Sequence, residues 1–300
     1  MKILYLSSGG NTQDYLRDCV FHGLRSLLGP DVVDVGKLDS MYVGADRSQM
    51  YGRGMTLYSE LPDIPVDRTD ILAKIRNKYF DLILWGSVHR NQDYLAEAES
   101  MYDYARLVAL DGEDHPGFLN GLRFLTLKRE LYSPQPRCKP IHFAIPKEKI
   151  LPDPTDKIRL MSPLDPIRKS TYIYKDEASY YQQYAESYYA PTMKKAGWDC
   201  LRHYEILSQW CLPYFRCFDQ CPPTICENLP RPELNLIRQM IECLYPTLGQ
   251  RSEKVLAMVW DLLMAPMVAH MRTYMTTERL AIYIFDSIGV ARKETIQCVS

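Results

Sequence analysis

Short apolar segments alternate with longer amphipathic segments through the first half of the chain, and this alternation restricts the fold more than any other feature. Such an alternation is typical of a parallel sheet covered by helices on both faces. Helices are predicted over residues 14–28, 71–79 and 92–104. Strands are predicted over residues 2–8, 32–35, 81–86, 106–110, 124–127 and 141–144. We therefore expect an α/β fold.

The second half differs in composition and is expected to form a second unit. A polar insert at residues 38–63 is predicted to be a mobile loop or lid, and proline-rich residues 146–166 are predicted to be a linker. Beyond it we expect strands at 158–161, 172–174 and 211–215, a tyrosine-rich helix at 177–189, and helices throughout 231–288. The domain boundary is placed between residues 148 and 149.

Composition disfavours several function classes. The 300 residues carry a formal net charge of −1, so no strong field attracts nucleic acid or an anionic membrane. The longest apolar run, residues 255–268, contains Asp261 and Pro266, and no membrane span is expected. Because no signal peptide is recognisable, we expect a cytoplasmic protein with reduced cysteines. Four cysteines between residues 211 and 226 lack the paired spacing of a zinc site, so no metal is expected.

A cation–glycine segment before a predicted helix is a candidate anion site. Free amides and the positive end of a helix dipole attract anions, and two lysines with a glycine strengthen that attraction. A carboxylate further along the helix could bind a sugar hydroxyl. The alternative is a solvated lysine pair followed by an ordinary helix. The candidate residues are Lys194, Lys195, Gly197, Trp198, Arg202, His203 and Glu205.

Three loops after predicted strands would meet at the carboxyl edge of the first sheet, where α/β proteins bind ligands. The first contains Ser8, Gly9 and Gly10, the second His89 and Arg90. The third contains three carboxylates beside an imidazole, a combination that suits a general base. An ordinary polar turn with aspartate caps remains open for any one of its members. The candidate bases are Asp114, then Asp111 or His115.

Several segments, taken in order along the chain, resemble those of GT-B glycosyltransferases, most closely the CgeB-like and exostosin-like branch of bacterial and viral surface-glycan enzymes. The cation–glycine segment followed by Cys211-Leu212-Pro213-Tyr214-Phe215 carries the resemblance best. The others are Asp14-Tyr15 with His22-Gly23-Leu24, residues 111–115, Lys128-Arg129-Glu130-Leu131 with residues 140–145, and Tyr274-Met275-Thr276-Thr277-Glu278. The second unit is short before Tyr172, where one strand–helix unit of the family is expected to be missing.

The resemblance implies two Rossmann-like domains facing a cleft, with acceptor on residues 1–148 and donor nucleotide on residues 149–300. The helical C-terminus could cross back to the first domain. By this resemblance Glu205 would bind the ribose and the 194–197 loop the diphosphate, with Arg202 and His203 near phosphate or sugar. Lys128 and Arg129 would reach the phosphates across the cleft. Neither metal nor cofactor is implied, because the helix dipole and cations would stabilise the leaving diphosphate.

The sequence therefore predicts a glycosyltransferase that moves a hexose or pentose from a nucleoside-diphosphate sugar to a glycan or glycoprotein. UDP-sugars and an inverting mechanism are favoured. One alternative is another nucleotide-dependent α/β enzyme, such as an epimerase or dehydrogenase, although the first strand is followed only by a glycine pair. The other alternative is a non-catalytic, glycan-binding member of the fold.

Overall fold

Six short apolar segments of the first half form one parallel sheet in the computed structural model, which describes residues 1–8, 13–48, 50, 55–244 and 249–289. The strands are β1 (Ile3–Leu6), β2 (Val32–Val35), β3 (Leu82–Trp85), β4 (Leu107–Asp111), β5 (Leu125–Lys128) and β6 (Cys138–Pro140). Their order is β2-β1-β3-β4-β5-β6, a doubly wound arrangement. The predicted α/β class, Rossmann-like in this broad sense, is confirmed.

Alternate residues of these strands enter two different cores, as the period of a strand requires. Ile3 and Tyr5 face a core that includes α1 (Tyr15–Leu28). Leu4 and Leu6 face the opposite core, which includes α2 (Ile71–Arg76) and α3 (Leu95–Met101). Both faces of the sheet are thus covered, which explains why its strands are apolar at nearly every position.

The second half contains a smaller parallel sheet with the order β7-β8-β9. Its strands are β7 (Arg159–Met161), β8 (Ser187–Met193) and β9 (Leu212–Arg216). The helices of this half are α4 (Glu177–Ala185), α5 (Leu201–Ser208), α6 (Arg231–Leu244), α7 (Gln250–Tyr274) and α8 (Thr277–Ser287). Helix α7 is long and apolar enough to cross a membrane by length and composition alone, which is weak evidence for a span.

Two predicted strands are wrong, and two other predictions hold only in part. Residues 141–144 follow β6 without forming a strand, and residues 172–174 form none either. The tyrosine-rich helix ends at Ala185, and its predicted last turn belongs to β8. The described residues of the polar insert contribute buried side chains to the core, including Met41, Tyr42, Leu57 and Tyr58, so this part is packed and not a free lid.

The last helix returns to the first sheet and packs against α1. Gly23 lies at the crossing, where a Cβ atom would come within 1.8 Å of the backbone oxygen of Thr277. At the first residue of α8, the amide of Thr277 donates to the carbonyl of Ile145 at 3.0 Å. One apolar core therefore extends from β1 and α1 through α8 to β8 and β9. The division into 1–148 and 149–300 stays a prediction.

Candidate functional site

The point where the connections of the first sheet change direction lies between β1 and β3, the position at which doubly wound proteins form a crevice. Asp14 caps α1 there, accepting from the amide of Arg17 at 3.2 Å. Its carboxylate also accepts from the Ser87 hydroxyl and, at 3.2 Å, from Arg90. Ser8 accepts from the Arg17 guanidinium at 3.3 Å. The predicted Gly9 and Gly10 lie outside the described residues.

His89 and Asp111 form a pair at the edge of this crevice. Nε2 of His89 lies 3.0 Å from Oδ2 of Asp111, whose other oxygen lies 3.1 Å from Nζ of Lys128. Asp111 and Lys128 are buried, whereas the His89 side chain keeps 23% of its exposure. The ring of His115, an exposed residue, is centred 6.3 Å from that of His89. The crevice therefore holds a partly accessible imidazole within ion-pair distance of a buried carboxylate, and neither of the two facing atoms has a well-aligned hydrogen bond in the described structure.

Arg129 joins the two sheets. Its guanidinium donates to the carbonyl of Gly112 at 3.1 and 3.2 Å, to Glu130 at 2.9 Å and to the carbonyl of Asp199 at 2.6 Å. It also donates to the carboxylate of Asp114 and lies 4.7 Å from the centre of the Phe143 ring. Arg129 is 2% exposed. Both Arg129 and Lys128 are thus bound to carboxylates of the protein instead of facing a cleft.

The amides ahead of α5 already have an anionic partner. Oε1 of Glu130 accepts from the amide of Asp199 at 3.1 Å, two residues beyond the 194–197 loop that is predicted to bind the diphosphate. Burial raises the pKa of Glu130, although Arg129 and the amides of Asp199 and Trp198 oppose that shift. A Cβ atom on Gly197 would lie 2.5 Å from both Arg129 and Glu130. Gly197 therefore permits a close approach of the two halves of the protein.

Asp199 completes this junction from the second half. Its carboxylate accepts from the amide of Phe143 at 2.6 Å and from the hydroxyl of Tyr204 at 3.1 Å. Burial raises its pKa, while the positive charge of Arg129 acts against this. The loops after β4 and β5 thus contact the loop after β8. The carboxyl ends of strands from both sheets meet here.

The candidate residues of α5 have different surroundings. His203 is buried, with Nδ1 2.9 Å from the Thr192 hydroxyl and Nε2 2.9 Å from the carbonyl of Trp198. Burial lowers the pKa of His203 to about 3, so the ring is neutral at physiological pH. Both nitrogens have partners within the fold, and Trp198 itself is 7% exposed. Neither side chain is open to a phosphate.

Glu205 is held by residues from both halves of the chain. It accepts from the Thr56 hydroxyl at 2.6 Å and from the Tyr180 hydroxyl at 2.5 Å. Burial raises the pKa of Glu205. Thr56 has a φ of 76°, a left-handed conformation that is unusual for a β-branched residue. Strained residues often cluster at functional sites, and this one positions the insert against the carboxylate.

The exposed residues Lys195 and Tyr172 form a second cluster with Arg202, which is half-buried. The Arg202 guanidinium lies 5.2 Å from the centre of the Tyr172 ring, and Nζ of Lys195 lies 6.0 Å from it. Lys195 also donates to the carbonyl of Pro166. Nε of Arg202 is buried and has no hydrogen-bond partner among the described residues. Lys194 lies nearby in sequence, with Nζ 5.3 Å from the centre of the Trp198 ring.

The structure therefore sorts the candidates into three groups. His89, Arg90, Asp111 and Ser8 surround the crevice of the first sheet, with His115 beside His89. Lys195 and Arg202 flank Tyr172, with Lys194 beside Trp198. The remaining described candidates are buried or tied into contacts within the protein, and they are Lys128, Arg129, Gly197, Trp198, His203, Glu205 and, through Arg129, Asp114.

Sequence reasoning missed Glu130, Asp199 and Thr56. Glu130 could have been found from the sequence, because Lys128, Arg129 and Glu130 are three consecutive charges at the end of an apolar strand. Charges in such a buried position need partners. Asp199, two residues before α5, has the sequence signal of a helix start. No sequence signal marks Thr56.

A cavity of about 520 Å³ lies at the carboxyl end of the second sheet, beside α6. Asp165 and Arg216 face it and bind one another at 3.0 and 3.3 Å. Because these charges already compensate each other, we assign no ligand to this cavity. Among the residues that the structure describes, no group of three His, Cys, Asp or Glu is placed to hold a metal ion.

Compared with known proteins, the chain matches no protein-family model and no curated protein.

Proposed function

We propose that the protein is a glycosyltransferase of the GT-B type. In this proposal a nucleoside-diphosphate sugar binds beside the second sheet, and the acceptor hydroxyl binds in the crevice of the first. The meeting of the carboxyl ends of β4, β5 and β8 supports it, because ligands of α/β proteins bind at such ends.

The observation that carries the proposal is the cluster around Tyr172. Arg202 has a buried nitrogen without a partner, and Lys195 lies on the same aromatic ring. Tyr172 is 44% exposed, so its ring can also receive a flat base. Two cations beside an accessible aromatic ring suit a diphosphate joined to a nucleobase. We therefore assign the phosphates to Lys195 and Arg202, with Lys194 at the edge of the site.

Acceptor activation is assigned to His89. With Asp111 beside one ring nitrogen, the other can accept the proton of the acceptor hydroxyl, and the nearby carboxylate stabilises the imidazolium that forms. The hydroxyl oxygen then attacks the anomeric carbon, and the bond from that carbon to the diphosphate oxygen breaks. Lys195 and Arg202 stabilise the charge on the leaving diphosphate. His89 replaces Asp114 as the preferred base, because Arg129 binds the Asp114 carboxylate.

Equilibrium binding tests the donor site. Isothermal titration with UDP, GDP and ADP should show binding of at least one of them, weakened at least about tenfold, or ~1.4 kcal/mol, in Arg202→Gln and Lys195→Gln. Lys254→Gln changes an exposed lysine on α7 and should leave the affinity unchanged. Affinity that is equal in all four proteins would contradict the assignment.

Turnover tests the reaction. Hydrolysis of the preferred nucleotide sugar, or its transfer to a glycan mixture, should fall about 10²–10⁴-fold in His89→Asn with unchanged nucleotide affinity. Nucleotide binding with oxidoreduction or epimerisation in place of transfer would favour the other α/β enzymes. Glycan binding without any nucleotide binding would favour a non-catalytic role.

A further inference from the structure

A second cavity, of about 450 Å³, lies outside all of the residues discussed as donor or acceptor sites. It opens to the surface and is lined by the end of β6, the loop before α6, the end of α7 and one side of α8. Its volume lies within the range of about 300–1,000 Å³ that is usual for small-molecule sites.

Aromatic rings line two parts of this cavity in fixed orientations. The rings of His270 and Tyr274 are centred 4.9 Å apart, and those of His142 and Tyr283 are centred 6.1 Å apart. The Tyr283 hydroxyl donates to the carbonyl of Pro140 at 2.6 Å. Nε2 of His270 lies 2.7 Å from the carbonyl of Asn228, and Nδ1 of His142 lies 2.8 Å from that of Phe143. A ligand would therefore meet surfaces that are already ordered.

Two charged side chains lining the cavity are held by no hydrogen bond in the described structure, and the charge of Arg231 acts on Glu227 only from beyond ion-pair distance. Neither the Glu227 carboxylate nor the Arg279 guanidinium makes a hydrogen bond or ion pair with another described residue. Glu227 can only accept hydrogen bonds when ionised, and Arg279 can only donate them. A ligand that satisfies both must offer donors and acceptors.

We propose that this cavity binds a neutral saccharide. Sugar hydroxyls both donate and accept, so they can bind Glu227 and Arg279 together. The apolar C–H face of a sugar ring packs well on rings such as Tyr274. An acidic sugar is disfavoured, because the Glu227 carboxylate would repel its charge, whereas it can accept hydrogen bonds from a neutral sugar. This site is additional to the proposed transfer site and requires no nucleotide.

Ligand-observed saturation-transfer NMR on the full chain tests the proposal. The probes are the methyl glycosides of glucose, galactose and N-acetylglucosamine, together with methyl glucuronide, glycine and lysine. We expect at least one neutral glycoside to bind, with an affinity reduced at least about tenfold in Glu227→Ala and in Arg279→Ala. Both side chains are exposed, so both variants should fold, and Asp261→Asn on the exposed side of α7 is the matched control.

Three results would overturn the proposal. They are the absence of binding by every neutral glycoside, binding that Glu227→Ala and Arg279→Ala leave unchanged, and binding of only the amino acids or the glucuronide. Nucleotide affinity should be unchanged in both variants, and glycoside affinity should be unchanged in Arg202→Gln. Failure of this site is therefore distinguishable from failure of the donor site.

Discussion

Arg129 uses all three of its side-chain nitrogens on the protein itself. A positively charged side chain near a predicted cleft is easily assigned to phosphate. Arg129 instead compensates the buried carboxylates of Glu130 and Asp199, which would otherwise lack a positive partner among the described residues. Its partners Glu130 and Asp114 and the carbonyl of Asp199 come from both halves of the chain. Its first role is therefore to join these halves.

Arg129→Met should lower the free energy of unfolding by about 3–5 kcal/mol, since it leaves buried carboxylates without their cation. Urea denaturation followed by circular dichroism measures the change. The matched control is Arg123→Met, because Arg123 is 62% exposed and pairs with Glu99 at 3.5 Å. The control should change stability by less than about 1 kcal/mol. Equal effects of the two substitutions would show that the junction contributes no special stability.

The buried ring of His203 makes stability depend on pH. Its folded pKa is about 3, below the ordinary value of 6.5, so the unfolded chain takes up the proton first as the pH falls. Wild type should therefore lose stability relative to His203→Gln below about pH 6.5, at up to about 1.4 kcal/mol per pH unit. Urea denaturation of both proteins from pH 8 to 4.5 measures the difference. It should be constant between pH 7 and 8, and a constant difference down to pH 4.5 would contradict the prediction.

At the scale of elements, the helix contact at Gly23 decides where α8 lies. In the middle of an exposed helix, alanine is more favourable than glycine by about 1 kcal/mol. At Gly23 the added methyl group would overlap the Thr277 carbonyl, a backbone group that cannot move alone. Helix α8 would have to shift away from α1.

Gly23→Ala should therefore destabilise the protein by about 1–3 kcal/mol despite the gain in helix propensity. Ser26→Ala, on the exposed side of the same helix, is the control and should be neutral or stabilising by about 0.5 kcal/mol. Thermal unfolding monitored by circular dichroism distinguishes them. A higher melting temperature for Gly23→Ala would show that the two helices do not pack this closely.

The sequence predicted most elements of the first half because their apolar runs are separated by clear turn residues. It failed at β8, where Ser187-Tyr188-Tyr189 continues the tyrosine pattern of α4 and only pairing with β7 and β9 makes it a strand. For the site, the types of residue could be predicted but their partners could not. Arg129 meets Asp199, which is 70 residues distant, and no local pattern encodes that contact.

At the scale of the whole molecule, the two sheets are joined by both apolar and charged contacts. The core that contains β1 also contains Tyr189 and Leu212 of the second sheet. Helix α8 is the last helix of the described chain, and it packs against α1, the first helix. Residues 1–148 alone would lack this cover and would expose apolar side chains of α1 to water.

We therefore expect the two sheets to unfold in one cooperative transition. Pulsed hydrogen exchange with mass spectrometry across a urea series measures the unfolded fraction of each sheet separately. Peptides covering β1 and β4 should give the same midpoint as peptides covering β8 and β9. Separate midpoints, or a soluble and folded fragment 1–148, would show that the chain consists of two independent units.

The position of Glu130 also governs how any outside anion could reach the amides ahead of α5. A carboxylate tethered to the same molecule competes at an effective concentration on the order of millimolar or more, so a dilute anion cannot easily displace it. The apparent affinity of these amides for an anion equals their intrinsic affinity multiplied by the fraction of molecules in which Glu130 has left them. Glu130 thus acts as an internal competitor for these amides, and an anion that binds them must displace an oxygen that also contacts Arg129.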